Sequence, residues 1–359
     1  MAVSFTAIFP LQPRSKSPIS FTRSPLPIPK PFSFKTLNPT STRTPKFLTK
    51  SKSSKPITSD RFLSDNVISG SASTLPIVST PTLKSRLHAG ETLYGIFLMS
   101  FSPTLAEIAG LSGYDFVVVD MEHGPGGIPE ALSCLRAVAA TQTPAIIRLP
   151  ETSPTWAKKA LDLGPQGIMF PMIDSPKEAK KAVSYCRFPP AGIRGTAHTV
   201  VRASGYGIDE GYASNYADEL LIMCQVESED GAKKAGEIAA VDGVDCIQMG
   251  PLDLSASMGY LWDPGHKKVR EMLRTAEKGV LETTATAKGG AFLAGFAMPH
   301  DSPEQMKSRG YHMVSGAVDV GMFRSAAVED VRRFKMSLID DSDDELDHDK
   351  DSDEKYWSE

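Results

Sequence analysis

Three short segments carry side chains that could do chemistry together. The first is Val117-Val118-Val119-Asp120-Met121-Glu122-His123-Gly124-Pro125. The second is Cys224-Gln225-Val226-Glu227, and the third is Met249-Gly250-Pro251-Leu252-Asp253-Leu254. Each is an apolar run that stops at acidic, amide or imidazole groups. Such runs bury themselves in a sheet and present reactive groups at their ends. Glu227 and Asp253 are the expected metal pair. Two carboxylates, with water and substrate oxygens in the remaining positions, suit Mg²⁺ or Mn²⁺ better than zinc. The bland alternative for either residue is an ion pair at a strand end. His123 has the side chain for general acid/base work near neutral pH. Arg148 ends the apolar run Ala145-Ile146-Ile147-Arg148 and could hold a carboxylate or a developing enolate oxygen. Arg148 could equally be the partner of Asp120 or Glu122, and both roles can hold at once. Asp162 could orient the His123 imidazole, or could be an exposed carboxylate at a helix end. This set points to metal-assisted acid/base chemistry on a small carbonyl acid.

Positioning these groups requires a regular scaffold. Eight short apolar runs read as strands: 95–99, 116–120, 145–149, 167–172, 221–226, 246–249, 292–298 and 312–318. Continuous rather than alternating hydrophobicity suits parallel strands covered on both faces. The intervals 103–111, 129–140, 153–163, 175–187, 230–240, 269–287, 302–308 and 322–336 carry helical spacing. Ser153-Pro154, Ser175-Pro176 and Ser302-Pro303 give a capping hydroxyl followed by Pro at the first helical position. Eight strands alternating with eight helices predict an α/β protein of the (β/α)₈ TIM-barrel type. A doubly wound sheet is the alternative, but no Gly-rich phosphate turn follows the first strand. The long interval at 173–220 contains Phe188-Pro189-Pro190-Ala191-Gly192-Ile193-Arg194-Gly195 and is expected to fold over the barrel mouth.

Composition narrows the function classes. The chain has 359 residues, 41% of them hydrophobic, and a net charge of -4. No apolar stretch reaches the roughly 18 residues of a membrane span, so a soluble protein is expected. No Lys lies in the eight strand runs, which argues against a Schiff-base enzyme. Walker and Gly-x-Gly-x-x-Gly turns are absent, so neither ATP nor NAD is indicated. The four cysteines, Cys134, Cys186, Cys224 and Cys246, show no Cys-x-x-Cys spacing, against a zinc site or a disulfide framework.

The two ends differ from the middle. No Asp or Glu precedes Asp60, and Ser, Thr, Pro, Lys and Arg abound. This reads as an organelle transit peptide and linker over residues 1–75, with the prolines favouring the chloroplast stroma. A basic arm binding nucleic acid is the alternative, but aromatic residues are sparse there. Residues 339–359 form an acidic run expected to be a solvated, disordered tail. The folded domain is placed at 82–338.

Together these segments resemble the HpcH/HpaI class II pyruvate aldolases, over essentially residues 85–336. The marks are Asp120-Met121-Glu122-His123, Phe188-Pro189-Pro190-Ala191-Gly192-Ile193-Arg194-Gly195, Gln225-Val226-Glu227 and Gly250-Pro251-Leu252-Asp253-Leu254-Ser255. The resemblance implies Glu227 and Asp253 as ligands of Mg²⁺ or Mn²⁺, with Co²⁺ also acceptable. It implies His123 as general base, Asp162 as its partner, and Arg148 as the group on the keto oxygen. Gln225 would be a polar neighbour of the substrate. The amides of Leu252 and Asp253 would cradle the pyruvate carboxylate. A small 2-oxo acid is the implied substrate, cleaved to pyruvate and an aldehyde. A hexamer exchanging C-terminal helices is the implied assembly, and neither nucleic acid nor membrane is an expected partner. Met121, where relatives have Gly, and Phe296-Ala297-Met298-Pro299-His300 depart from the pattern and leave the aldehyde open. Rival readings are an acyl-CoA lyase of the citrate or malyl-CoA kind, and a metabolite-binding barrel without turnover.

Overall fold

A computed structural model describes residues 81–286 and 290–344. The expected transit segment and most of the acidic tail lie outside the described residues. Eight parallel strands close into one barrel in sequence order. They are β1 Leu93–Leu98, β2 Phe116–Asp120, β3 Ala145–Arg148, β4 Gly167–Phe170, β5 Leu221–Val226, β6 Cys246–Met249, β7 Phe292–Phe296 and β8 Met313–Val318. Closure between β1 and β8 is parallel, with a register shift at Gly95/Ile96. The (β/α)₈ expectation therefore holds.

Alternation along each strand separates two cores. Outward residues such as Val117, Val119, Ile147, Ile168 and Ile222 pack under the helices. Inward residues fill the barrel: Leu93, Phe97, Phe116, Val118, Ile146, Met169, Leu221, Met223, Cys246, Phe292, Ala294 and Met313. This is a packed interior rather than a pore. Volumes are matched locally. A Cβ on Gly95 would lie 2.3 Å from the Phe116 ring, so glycine on β1 makes room for the aromatic ring on β2.

A helix that sequence periodicity did not reveal, Leu83–His88, closes the N-terminal end of the barrel. Its Leu83 and Leu87 are buried in the inner core. Lys84 pairs with Asp245 at 2.9 Å, and Arg86 bridges Glu91 and Asp115. All three acids sit in the turns entering strands.

The expected helix at 230–240 is two short pieces, Glu229–Lys233 and Ala235–Ala239. A further helix, Pro251–Ser257, follows β6 directly. The last helix runs from Asp319 to Asp344, beyond the Met336 at which spacing ended it. No described helix is long and apolar enough to cross a membrane.

Residues 188–220 do not fold over the mouth. Arg202 donates to the Leu163 carbonyl at 2.5 Å, and Gly164 lies against Ala203. The Leu163–Gln166 turn feeds the start of β4, at the opposite end of the barrel. The helix Tyr212–Glu219 packs near Leu83–His88, at that same end. The physical reason is connectivity: the chain must return to the N-terminal end before β5 begins. Arg194 anchors this descent, buried with its guanidinium 4.7 Å from the Phe188 ring and donating to Tyr212 Oη at 2.9 Å.

Candidate active site at the carboxyl ends of the strands

The inward positions change character at the carboxyl ends of the strands. Above the apolar interior, Asp120 on β2, Arg148 on β3, Gln225 on β5 and Gln248 on β6 are all buried. Asp120 and Arg148 are register partners, as are Gln225 and Gln248. Strand register thus sets Asp120 beside Arg148 and Gln225 beside Gln248, and a contact between Arg148 and Gln225 joins the two pairs.

Arg148 is clamped. Its Nε donates to Asp120 Oδ1 at 2.9 Å and its Nη2 to Asp120 Oδ2 at 2.5 Å. Nη1 donates to Gln225 Oε1 at 3.4 Å. The Phe97 ring lies 5.0 Å from the guanidinium carbon. Burial opposes the charge, but the Asp120 carboxylate outweighs it and holds the guanidinium above its ordinary value. The ion-pair reading of Arg148 is the one the geometry shows: Asp120 fixes two of its nitrogens and leaves Nη1 to other partners.

Nη1 also lies 2.9 Å from Glu122 Oε2. That ion pair lacks hydrogen-bond alignment, and Oε2 is buried with no hydrogen-bond donor among the described residues. Burial, followed by the opposing effect of Arg148 and then by Asp120 and Asp253, pushes the Glu122 carboxyl up to about 6. Glu227 is 1% exposed. Its Oε1 accepts from the Met172 amide at 2.7 Å, and its Oε2 accepts from Gln225 Nε2. Burial, then the charges of Glu122 and Asp253, push Glu227 up to about 7 despite those bonds. Asp253 is in the first turn of Pro251–Ser257.

Glu122, Glu227 and Asp253 therefore repel one another beside an arginine whose charge is already matched by Asp120. Unrelieved negative charge, an orphaned Glu122 oxygen and oxygen-only donors fit a hard divalent cation. No three Asp, Glu, His or Cys side chains converge as a ready-made cage among the described residues. A cation that keeps waters and takes two protein carboxylates suits that arrangement. Gly250 is required here, because a Cβ would lie 2.6 Å from Glu227 Cβ and 2.7 Å from its Oε2.

His123 is half exposed at the rim, with Nε2 3.9 Å from Glu122 Oε2. Its turn is closed by Gly124 N–H donating to the Asp120 carbonyl at 3.1 Å. Asp120 Oδ1 also accepts from the Glu122 amide at 3.0 Å.

Asp162 is not brought to His123 within this chain. It ends the helix Pro154–Asp162, which runs from the mouth towards the opposite end, and lies 3.5 Å from Arg194. A nine-residue helix spans about 13 Å, which separates its last carboxylate from the mouth. Met121 does not line the mouth either. It is buried in the outer core with Phe101 because it follows inward-facing Asp120. Phe296 does turn inward, against Phe97 at 5.7 Å. Leu252 is 42% exposed beside Asp253.

Sequence reasoning named Asp120 and Glu122 but gave them no separate roles. The pairing of Asp120 with Arg148 follows only from register. The Met172 amide, held at φ 51°, carries no sequence signal as a support for Glu227.

This geometry can be set beside known proteins. Residues 93–326 match the family described as HpcH/HpaI aldolase/citrate lyase. The 2-keto-3-deoxy-L-rhamnonate aldolase of Escherichia coli O9:H4 (strain HS) is 36% identical over 259 residues, 72% of this chain and 94% of that enzyme. A crystal structure of an HpcH/HpaI aldolase/citrate lyase family protein from Burkholderia cenocepacia J2315 superposes with a TM-score of 0.66. It is 34% identical and covers 71% of this chain and all of that one. The HpcH/HpaI aldolase of Desulfitobacterium hafniense DCB-2 shares the fold, with a TM-score of 0.62 at 24% identity over 71% of this chain and 97% of its own. A barrel whose mouth joins a clamped arginine to buried carboxylates, and a match spanning that whole barrel, place this chain in the HpcH/HpaI aldolase/citrate lyase family.

Proposed function

We propose that the protein is a class II aldolase, reversibly cleaving a 4-hydroxy-2-oxo acid to pyruvate and an aldehyde. The observation that carries this reading is the Asp120–Arg148 clamp facing Glu122, Glu227 and Asp253 at one barrel mouth. A carbon–carbon lyase acting on a 2-oxo acid needs a fixed positive group where enolate charge develops, and a base at the hydroxyl.

Glu227 and Asp253 would hold a divalent cation, Mg²⁺ or Mn²⁺, which when bound supplies Lewis acidity toward the 2-oxo group. Arg148 Nη1 binds the 2-oxo oxygen and stabilises the negative charge that gathers there. Asp120 keeps the guanidinium in one orientation through that change. The first-turn amides of Leu252 and Asp253, which a helix leaves without internal acceptors, receive the substrate carboxylate. His123 removes the proton from the C4 hydroxyl. The C3–C4 bond then breaks, its electrons passing into the pyruvate enolate as the C4 carbon becomes the aldehyde. Protonation at C3 completes pyruvate.

2-Keto-3-deoxy sugar acids are the first substrates to try, because the Escherichia coli relative is named for one. The C-terminal helix supports assembly as a homo-oligomer, with a hexamer as the working proposal. Phe323, Val331 and Phe334 lie along one stripe of it and are 74%, 52% and 65% exposed. A plastid location is proposed from the acid-free, hydroxyl-rich residues before Asp60. The test is pyruvate release from a panel of 4-hydroxy-2-oxo acids with and without chelator. Metal-dependent release supports the reading, and metal-independent or absent release overturns it.

A further inference from the structure

His123 is half exposed, yet general-base chemistry needs its ring held in place. The chain supplies that hold from the far side of the barrel seam. Asp319, 7% exposed, begins the C-terminal helix directly after β8. Its Oδ1 accepts from the Met99 amide at 2.9 Å and its Oδ2 from the Ser100 amide at 3.1 Å. Oδ1 also accepts from the Val320 amide at 2.8 Å. One carboxylate therefore pins the connection leaving β1.

The next residue is Phe101. It is buried, with φ 54°, a left-handed conformation that a bulky aromatic residue adopts only when its surroundings enforce it. Its ring is the floor on which the His123 turn rests. A Cβ on Gly124 would lie 2.4 Å from the Phe101 ring, 2.5 Å from the Asp120 carbonyl and 2.8 Å from the Met99 carbonyl. A Cβ on Gly126 would also lie 2.4 Å from that ring. The turn therefore passes flush against Phe101 with no slack. Motion of the Met99–Phe101 connection would be transmitted to the residue before Gly124, which is His123.

We propose that Asp319 is a positioning residue for the aldol reaction, acting through Phe101 on His123. The proposal rests on the functional reading above, in which His123 is the base. Asp319 touches no reacting atom. Its carboxylate accepts from two amides of β1's exit, fixes Phe101 in its left-handed wedge, and so sets where the imidazole stands relative to Arg148 and Glu227. The electrophilic half of the site is held separately, by strand register and by Asp120.

The experiment is a double-mutant cycle on the full chain with Mn²⁺ present, combining His123→Ala with Asp319→Asn, and separately with Phe101→Leu. Phe101→Leu thins the wedge while leaving the Asp319 bonds in place, so it carries the test if Asp319→Asn does not fold. In the wild-type background each change should lower kcat roughly 10- to 100-fold, the cost of a misplaced group, with KM changed by less than about threefold. In the His123→Ala background the same change should cost less than about twofold, because its target is gone. Equal losses in both backgrounds, or an unaltered kcat in the wild-type background, would overturn the proposal. Failure of the functional reading shows separately: His123→Ala alone would then leave cleavage unaltered.

Discussion

Glu227 makes the stability of the metal-free protein depend on pH in a direction opposite to the usual carboxylate. Its carboxyl is pushed from 4.5 to about 7, first by burial and then by Glu122 and Asp253. The unfolded chain releases that proton near 4.5, while the folded chain keeps it to about 7. Below 4.5 both states are protonated and the group is neutral in the balance. Between 4.5 and 7 only the unfolded state gains from ionising, so stability falls as pH rises and levels off above 7. The shift corresponds to about 3 kcal/mol. For a domain of this size that is a drop of roughly 6–12 °C in Tm. Glu122, raised to about 6, adds in the same sense. The assay is thermal unfolding of wild type and Glu227→Gln between pH 5 and 8, each in chelator and in Mn²⁺. In chelator the wild-type curve should fall relative to the variant as pH rises. Mn²⁺ should restore wild type most at pH 8, because the ionised carboxylate is both the costly form and the ligand. Parallel curves in chelator, or equal Mn²⁺ rescue of the variant, would refute the reasoning.

Other outcomes follow from the same geometry. Arg148→Lys cannot reproduce the two parallel bonds to Asp120, and should lower kcat/KM by about 10²- to 10³-fold in a pyruvate-release assay. Asp120→Asn removes the two-point ionic clamp and leaves Glu122 as the ion-pair partner of Arg148, and should cost about 1–3 kcal/mol in urea unfolding. Gly250→Ala forces a Cβ against Glu227, so titration calorimetry should show weaker Mn²⁺ binding. Its destabilisation should be about 1–3 kcal/mol. Replacing Phe323 and Phe334 by Ser should reduce the assembly seen by light scattering, and an unaltered mass would count against the helix as an assembly surface.

The barrel was legible because its strands are buried on both faces and so read as unbroken apolar runs. Ser-Pro pairs fixed three helix starts, and Ser153, Ser175 and Ser302 each accept a backbone amide as expected. Arg148, Gln225 and Glu227 were found because a polar group ending an apolar run stands out. What sequence could not supply was register and direction. Asp120 opposite Arg148 is a consequence of pairing across strands, with 27 residues between them. Asp162 is a candidate to orient His123 from its place in the sequence, but its helix runs down the barrel and delivers it to Arg194. The 188–220 segment carries the length of a lid, yet it is committed to returning to the start of β5. Leu83–His88 was missed because one turn and a half with two buried leucines gives too short a pattern to read. Asp319 gave no signal at all, since its partners are backbone amides some 220 positions earlier.

The central claim is metal-dependent aldol chemistry at the mouth formed by Arg148, Glu227 and Asp253. The measurement that meets it most directly is pyruvate release from 2-keto-3-deoxy sugar acids by wild type and Glu227→Gln, each assayed with Mn²⁺ and with chelator. Wild type should release pyruvate only with Mn²⁺, and the variant should release none under either condition. Undiminished release in chelator, or full turnover by Glu227→Gln, would contradict it.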